Sequence, residues 1–352
     1  MANSVRAVLA ATLASLAATV QAANDPGLHF YRHDWELACD NTRTCRAAGY
    51  NSDDRPAVSV LLVRKAGPGE PVTGRLKFGY YGEEDGPGAR AQAEGYEAQI
   101  RIDGRGQGKV KVGREMAADL SKRQVAALLR ALAKESEIDF EGAGGTWWRL
   151  SNKGAAAVLL KMDEFQGRVG TTGALIRKGT RSEQTVLPAL PKPVIVVPLL
   201  LKNSGTRLSG EEAEALAALL RPTTKQDDCE TLFRENPENW QMTVTRLTET
   251  KSLVSASCWL AAYNGGVGFW VVSEPGRRKP SLVTTSGSTY SDGVVSCSQK
   301  GRGLGDCWSM ESWTWNGRVF QPSEARTTGM CKLVAPGGAW DLPTRVSEIR
   351  RR

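Results

Sequence analysis

The stretch that most constrains this chain runs from Tyr31 to Tyr50, YRHDWELACDNTRTCRAAGY. Cys39 and Cys45 stand either side of a five-residue polar loop, DNTRT, in which Asp40 and Asn41 supply turn chemistry. Upstream, Trp35 and Leu37 alternate with Asp34 and Glu36, the period-2 pattern of a half-buried strand. Two cysteines at this spacing can staple a turn, bind a metal or do redox work. The compartment decides between these, and the N-terminus speaks to the compartment.

Met1 to Ala22 reads as a secretory signal peptide. Arg6 gives a positive start, Ala7 to Val20 a short apolar run, and Val20-Gln21-Ala22 a small-residue cleavage site. The run is too short and alanine-rich for a membrane span, which needs about 20 strongly apolar residues. No later segment is long and apolar enough either, so no membrane span is expected after cleavage. The expected location is the periplasm, with full secretion as the alternative; both are oxidising spaces where disulfides persist.

The seven cysteines, at 39, 45, 229, 258, 297, 307 and 331, all follow the cut, so one is left over. The expected pairing is Cys39 with Cys45, Cys229 with Cys258 and Cys307 with Cys331; Cys297 with Cys307, across SQKGRGLGD, is the competing choice. Zinc is the rival reading, but the chain has no Cys-x-x-Cys pair and only two histidines. Those two, His29 and His33, are four apart and would share a metal only across a helical turn. Pro26-Gly27 is a poor helix start, so a mobile N-terminal tail is the expectation there.

A length of 352 residues allows about two domains. Pro56 to Arg64 and Val72 to Gly79 read as strands separated by the turn Gly67-Pro68-Gly69. After a polar loop from Gly82 to Gly95, Tyr96 to Asp103 and Lys109 to Gly113 form a hairpin closed by the glycines at 104, 106 and 108. Ser121 and Gln124 make a capping box, with Leu120 and Val125 as its hydrophobic staple; Val125, Leu128, Leu129 and Leu132 then share a helix face. Ile138-Asp139-Phe140 and Trp147 to Leu150 are short strands. Ser151 opens a second helix with Ala155, Val158, Leu159 and Met162 buried, ended at Gly167. Leu208-Ser209 starts a third capped helix with Glu212, stopped by Pro222. Prolines 188, 191, 193 and 198 mark an extended connection. Beyond Cys229, short alternating segments separated by Asn264-Gly265, Pro275-Gly276 and Asn316-Gly317 indicate an antiparallel meander, a sandwich or a barrel.

The sequence therefore divides into a signal peptide (1–22), an α+β domain (23–187), a proline-rich linker (188–207) and a helix plus antiparallel β domain (208–352). The fold class is α+β: an N-terminal sheet domain with two or three capped helices, then a mostly antiparallel β domain.

No side chain receives a catalytic, cofactor-binding or metal role. There is no G-x-S-x-G elbow and no S-x-x-K. Gly301 to Asp306 (GRGLGD) superficially resembles a phosphate-cradling loop but lacks the strand-loop-helix setting, so it reads as a surface loop between strands. Paired acids at Asp53-Asp54, Glu83-Glu84-Asp85, Asp163-Glu164 and Asp227-Asp228 read as solvated loop acids unless two of them converge across a cleft. Seven of the ten tryptophans lie beyond Cys229, at 240, 259, 270, 308, 313, 315 and 340; they read as sheet core and cross-strand pairs, with stacking on sugar as the alternative use. The net charge of +8 suits an acidic partner of the envelope rather than nucleic acid.

DWELACDNTRTCRAAGY, WRLSNKGAAAVLLKMDEFQGR, KGRGLGDC and WTWNGRVF together resemble a bacterial exported family, domain-of-unknown-function family 1176, over nearly all of the mature chain. The N-terminal half is also similar to the invasion-associated locus B family. The first resemblance implies no activity, cofactor or catalytic residue. It does imply that Cys297 stands outside the family pattern and is unpaired. The expectation is a disulfide-stabilised cell-envelope protein that binds a partner, an unknown protein or acidic glycan, without catalysis. The alternative is a periplasmic hydrolase that acts on cell-wall or surface glycan through paired carboxylates. The N-terminus yields the first prediction: the purified exported protein begins near Ala23, and Edman sequencing that still read Met1 would contradict it.

Overall fold

The computed structural model describes residues 27–52, 56–79, 95–142, 146–201, 205–234, 242–273 and 279–352. The signal segment, the acids at 53–54 and 83–85, Trp240 and Pro275-Gly276 lie outside them.

Six antiparallel strands form the first sheet: β1 (Leu28–Arg32), β2 (Trp35–Cys39), β3 (Cys45–Tyr50), β4 (Val58–Arg64), β5 (Val72–Phe78) and, beyond a second hairpin, β8 (Ala117–Asp119). The stapled loop joins β2 to β3, whose register sets Cys39 opposite Cys45 and Trp35 opposite Gly49. Gly49 is required there, because a Cβ would enter the Trp35 indole. The indole N–H donates to the Ser151 carbonyl at 2.8 Å. A second antiparallel sheet packs nearby in the order β10 (Trp147–Leu150), β9 (Ile138–Glu141), β6 (Tyr96–Ile102), β7 (Arg105–Val112). The β6–β7 turn is only Asp103-Gly104, both at positive φ; of the glycines expected in the turn, Gly106 pairs with Arg101 inside the ladder and Gly108 lies at the register shift between the Gln99–Lys109 and Arg101–Gly106 pairs.

Helix α1 (Lys122–Leu132) carries the Ser121/Gln124 capping box and buries Val125, Leu128 and Leu132. Helix α2 (Ala155–Phe165) buries Ala155, Val158, Leu159 and Met162, and Gly167 follows it at positive φ. Its N-cap is Gly154, not Ser151, whose hydroxyl instead accepts from the Lys153 N–H. Helix α3 (Gly210–Leu220) follows Ser209, but the Ser209 side chain makes no cap hydrogen bond.

The C-terminal half is a sandwich. One five-stranded sheet contains β12 (Thr206–Leu208), β13 (Met242–Arg246), β14 (Lys251–Leu260), β15 (Gly265–Ser273) and β16 (Ser281–Gly287). The other contains β17 (Thr289–Ser291), β18 (Val294–Lys300), β19 (Trp308–Trp315), β20 (Phe320–Thr327) and β21 (Leu342–Arg345). Leu253, Phe269, Val295, Trp315 and Phe320 form the core between them, while α3 covers the other face of the first sheet around Trp270. Within the 188–207 segment, β11 (Val194–Val197) pairs in parallel with the C-terminal β22 (Glu348–Arg351).

Disulfides join Cys39 to Cys45, Cys229 to Cys258 and Cys307 to Cys331; Cys297 is a buried free thiol. Burial pushes that thiol up, away from the reactive thiolate form. For the two longer loops the chain-entropy model gives about 3–4 kcal/mol each.

Strand β2 departs from its half-buried pattern, because both its faces are covered. Trp35, Leu37 and Cys39 face the main core, and Ala38 faces Val334, Trp340 and Leu342 from the far end of the chain. Glu36, on that second face, is buried and accepts from the Tyr50 hydroxyl at 2.7 Å and the Met330 N–H at 2.8 Å. Around it Lys332 pairs with Asp34 at 3.1 Å, Asn41 exchanges two hydrogen bonds with the Val346 backbone, and the Trp340 indole donates to the Ser59 hydroxyl at 2.7 Å. Residues 328–346 thus clasp the N-terminal sheet. Trp340→Ala should remove the centre of this contact and cost about 3–5 kcal/mol of stability. Urea unfolding is the check, and a loss within the usual range of surface substitutions would contradict the clasp's weight.

Candidate functional site

The candidate site is a cleft of about 710 Å3 where the β1–β2 turn, the end of α1, the end of β10 and the start of α2 meet. The turn is His33-Asp34, with His33 at φ 51°. Its Asp34 N–H donates to the Lys153 carbonyl, which draws the turn onto the segment leading into α2. At Gly154 the backbone has φ 96°, and a Cβ would run into the Arg32 carbonyl, so glycine is needed for both conformation and close approach. The Asn152 amide donates to the carbonyls of Ala131 at 3.3 Å and Lys134 at 2.6 Å, which satisfies the end of α1.

A glycine cap leaves α2 without a side-chain partner for its first N–H groups, and Ala156 and Ala157 of that turn line the cleft. The positive end of the helix dipole therefore opens into it. Arg32, Lys134, Arg149 and Lys153 stand around the same opening, against Glu135 and Glu137. The cations are not equivalent. Arg149 is engaged, its guanidinium forked onto Asp139 at 2.7 and 3.0 Å and bonded to Glu137 at 3.0 Å. Those hydrogen bonds, Asp139 first, raise its pKa and fix its charge. Arg32 and Lys153 are exposed and make no ion pair with a described acid. In the wall, the Ser136 hydroxyl oxygen is buried with no hydrogen-bond partner among the described residues.

The histidines do not meet. His29 lies in β1 and contacts Glu36 at 3.2 Å, while His33 is in the turn and lines the cleft. Four residues along a strand span about 13 Å, too far for a shared ion. Both belong to an ordered, sheet-paired hairpin rather than the mobile tail expected from the sequence, because β1 bonds along the whole of β2.

The described paired acids diverge. Asp163 is fully buried, accepts from the Leu175 and Ile176 N–H groups and lies 3.6 Å from Arg64, whereas Glu164 is on the surface with Lys161. Burial raises the Asp163 carboxyl above its ordinary value despite those partners. Asp227 and Asp228 are exposed. Trp147, 46% exposed, stands at a smaller hollow of about 220 Å3 with Asp139, but Arg149 already neutralises that carboxylate. Trp270, Trp315 and Trp340 are core residues. The ligand atoms of Asp306, Cys307 and Cys331 gather within 4.8 Å, yet the two sulfurs are bonded to each other and Arg302 holds the carboxylate at 2.6 Å. They offer no free ligand set. The GRGLGD loop connects the antiparallel strands β18 and β19, with no helix after it.

Sequence reading missed Arg32, Lys153 and Gly154 as neighbours. The available signal was Asn-Lys-Gly before an alanine run, a left-handed turn into a helix that has no side-chain cap.

These features define a mostly β, disulfide-bonded α+β protein with an open basic cleft. The chain belongs to the family of proteins of unknown function DUF1176, whose model matches residues 29–347. It is 26% identical over 314 residues to the uncharacterized protein YpfG of Escherichia coli (strain K12), covering 82% of this chain and 84% of that one. No solved structure matches the chain. On the likeness to the invasion-associated locus B family these matches are silent.

Proposed function

We propose that this is an exported envelope protein, periplasmic after loss of residues 1–22, that binds an acidic glycan in the basic cleft and does not turn it over. The observation that carries the reading is the pair of cations, Arg32 and Lys153, that make no ion pair among the described residues and are set at the open first turn of α2. The disulfides fit a compartment outside the cytoplasm. No helix among the described residues is long and apolar enough to cross a membrane. The hydrolase alternative asks for two carboxylates facing across a cleft. Among the described residues the acids lining the basic cleft are Glu135 and Glu137, beside each other on one wall, and Glu137 is bonded to Arg149. The division into two domains at the 188–207 connection belongs to the same reading.

Calorimetric titration with an oligogalacturonate tests it. Binding should weaken steeply between low and physiological salt, since exposed charges are screened beyond about 8–10 Å. Arg32→Ala with Lys153→Ala should reduce affinity about tenfold or more with the melting temperature unchanged. Equal binding of a neutral glucan, or an unaffected double variant, would sink the proposal.

A further inference from the structure

A second cleft, of about 630 Å3, opens in the C-terminal sandwich between the inner face of β13–β15 and the 288–292 segment. The inward positions of a sandwich strand are ordinarily apolar, because they build the core between the sheets. Strand β14 starts that way with Leu253, then puts Ser255 and Ser257 on the same face, while Val254, Ala256 and Cys258 face α3. Strand β13 does the same, with Thr243 and Thr245 towards the cleft and Met242 and Val244 towards α3. In register, Thr243 lies opposite Ser255 and Ser255 opposite Phe269. Hydroxyls therefore stand where aliphatic groups would close the sandwich.

Among the described residues, the hydroxyls of Thr243, Thr245, Ser255 and Ser257 donate to and accept from no protein group. The opposite wall adds the Thr289 hydroxyl, with Ser288 and Ser291 beside it, the first accepting from the Ser298 N–H at 3.0 Å and the second donating to Asp292 at 3.1 Å. Phe269 and Val267 form an apolar floor, and the Tyr290 ring flanks it. Charge is balanced, with Arg207 and Asp292 as the charged residues of the lining. Among the described residues the lining has no histidine, thiol or second carboxylate, and so no nucleophile–base or metal-ligand set.

We propose that this cleft binds a neutral sugar. Serine and threonine hydroxyls both donate and accept, which is what a ring of sugar hydroxyls needs on every side. The apolar floor matches the C–H face of a pyranose, which packs against aromatic rings. An acidic or basic ligand would meet one charge of each sign and gain little. The volume falls within the range of small-ligand sites. The inference stands apart from the basic cleft and from its acidic glycan.

The test is NMR of the full mature protein titrated with maltose, cellobiose and N,N′-diacetylchitobiose. At least one should bind saturably, with amide shifts confined to β13, β14, β15 and 288–292. Thr243→Val with Ser255→Val removes both hydroxyls at strand positions that favour β-branched residues, isosterically at 243 and with one added methyl group at 255. It should leave the fold intact, hold or raise the melting temperature, and weaken binding about tenfold or more. Arg32→Ala with Lys153→Ala should leave sugar binding unchanged, which separates this site from the other. The proposal fails if none of the three sugars binds where a Kd of about 1 mM would be seen. It fails equally if the valine variant binds as well as the parent, or if the shifts map to the α2 cleft.

Discussion

Glu36 is a carboxylate placed inside the protein on a face that an isolated sheet would leave to water, and the relation between the two halves of the chain follows from satisfying it. A buried charge is tolerated only with hydrogen-bond partners. Two come from the neighbouring strands, the Tyr50 hydroxyl and the His29 ring at 3.2 Å, and a third is the Met330 N–H, at a sequence separation of 294. Burial, and then the Glu36 charge, hold the Tyr50 hydroxyl well above the usual phenol range, so it stays a donor. Gly329 has φ 97°, and a Cβ there would strike the Tyr50 oxygen. Close approach of the 329–330 turn therefore depends on glycine.

From that point the neighbouring contacts become mutually dependent. Cys307–Cys331 fixes the start of the clasping segment to the base of the 301–306 loop. Asp306 accepts from the Leu333 N–H at 2.8 Å and from Arg302, and these partners outweigh burial to hold its carboxyl below the ordinary range. Strand β21 then returns to the sandwich beside β20. One segment thus closes the outer face of β2 and β3 and supplies a strand to the second sheet. The two candidate sites lie away from it, one at the start of α2 and one between the sandwich sheets.

Much of this was legible in the sequence because it is local. The capping box at Ser121, the buried stripe of α2 and the strands β4, β5 and β6 follow from periodicity over a few residues. The half-burial expected of β2 was not met, because the cover comes from residues 328–346 and no local pattern announces a distant lid. Ser151 looks like a cap by composition, but the chain enters α2 through Gly154, whereas Ser209 does hold the N-cap position of α3, without a side-chain hydrogen bond. The basic cleft was illegible for the same reason: Arg32, Lys134 and Lys153 come from three elements whose meeting is set by Trp35 against Gly49 and by Gly154 against Arg32. In the sandwich the inward serines and threonines were visible as an alternating pattern, yet which face was inward depended on where α3 packed.

The central claim is that residues 328–346 hold the two halves together through the buried face of β2 and β3. The most direct measurement is a single proteolytic cut in the 198–206 connection, followed by size exclusion without denaturant. The clasp predicts that the fragments elute together and that the amides of Met330 and Val346 remain protected from hydrogen exchange. Fragments that separate as folded halves, with those amides exchanging freely, would contradict it.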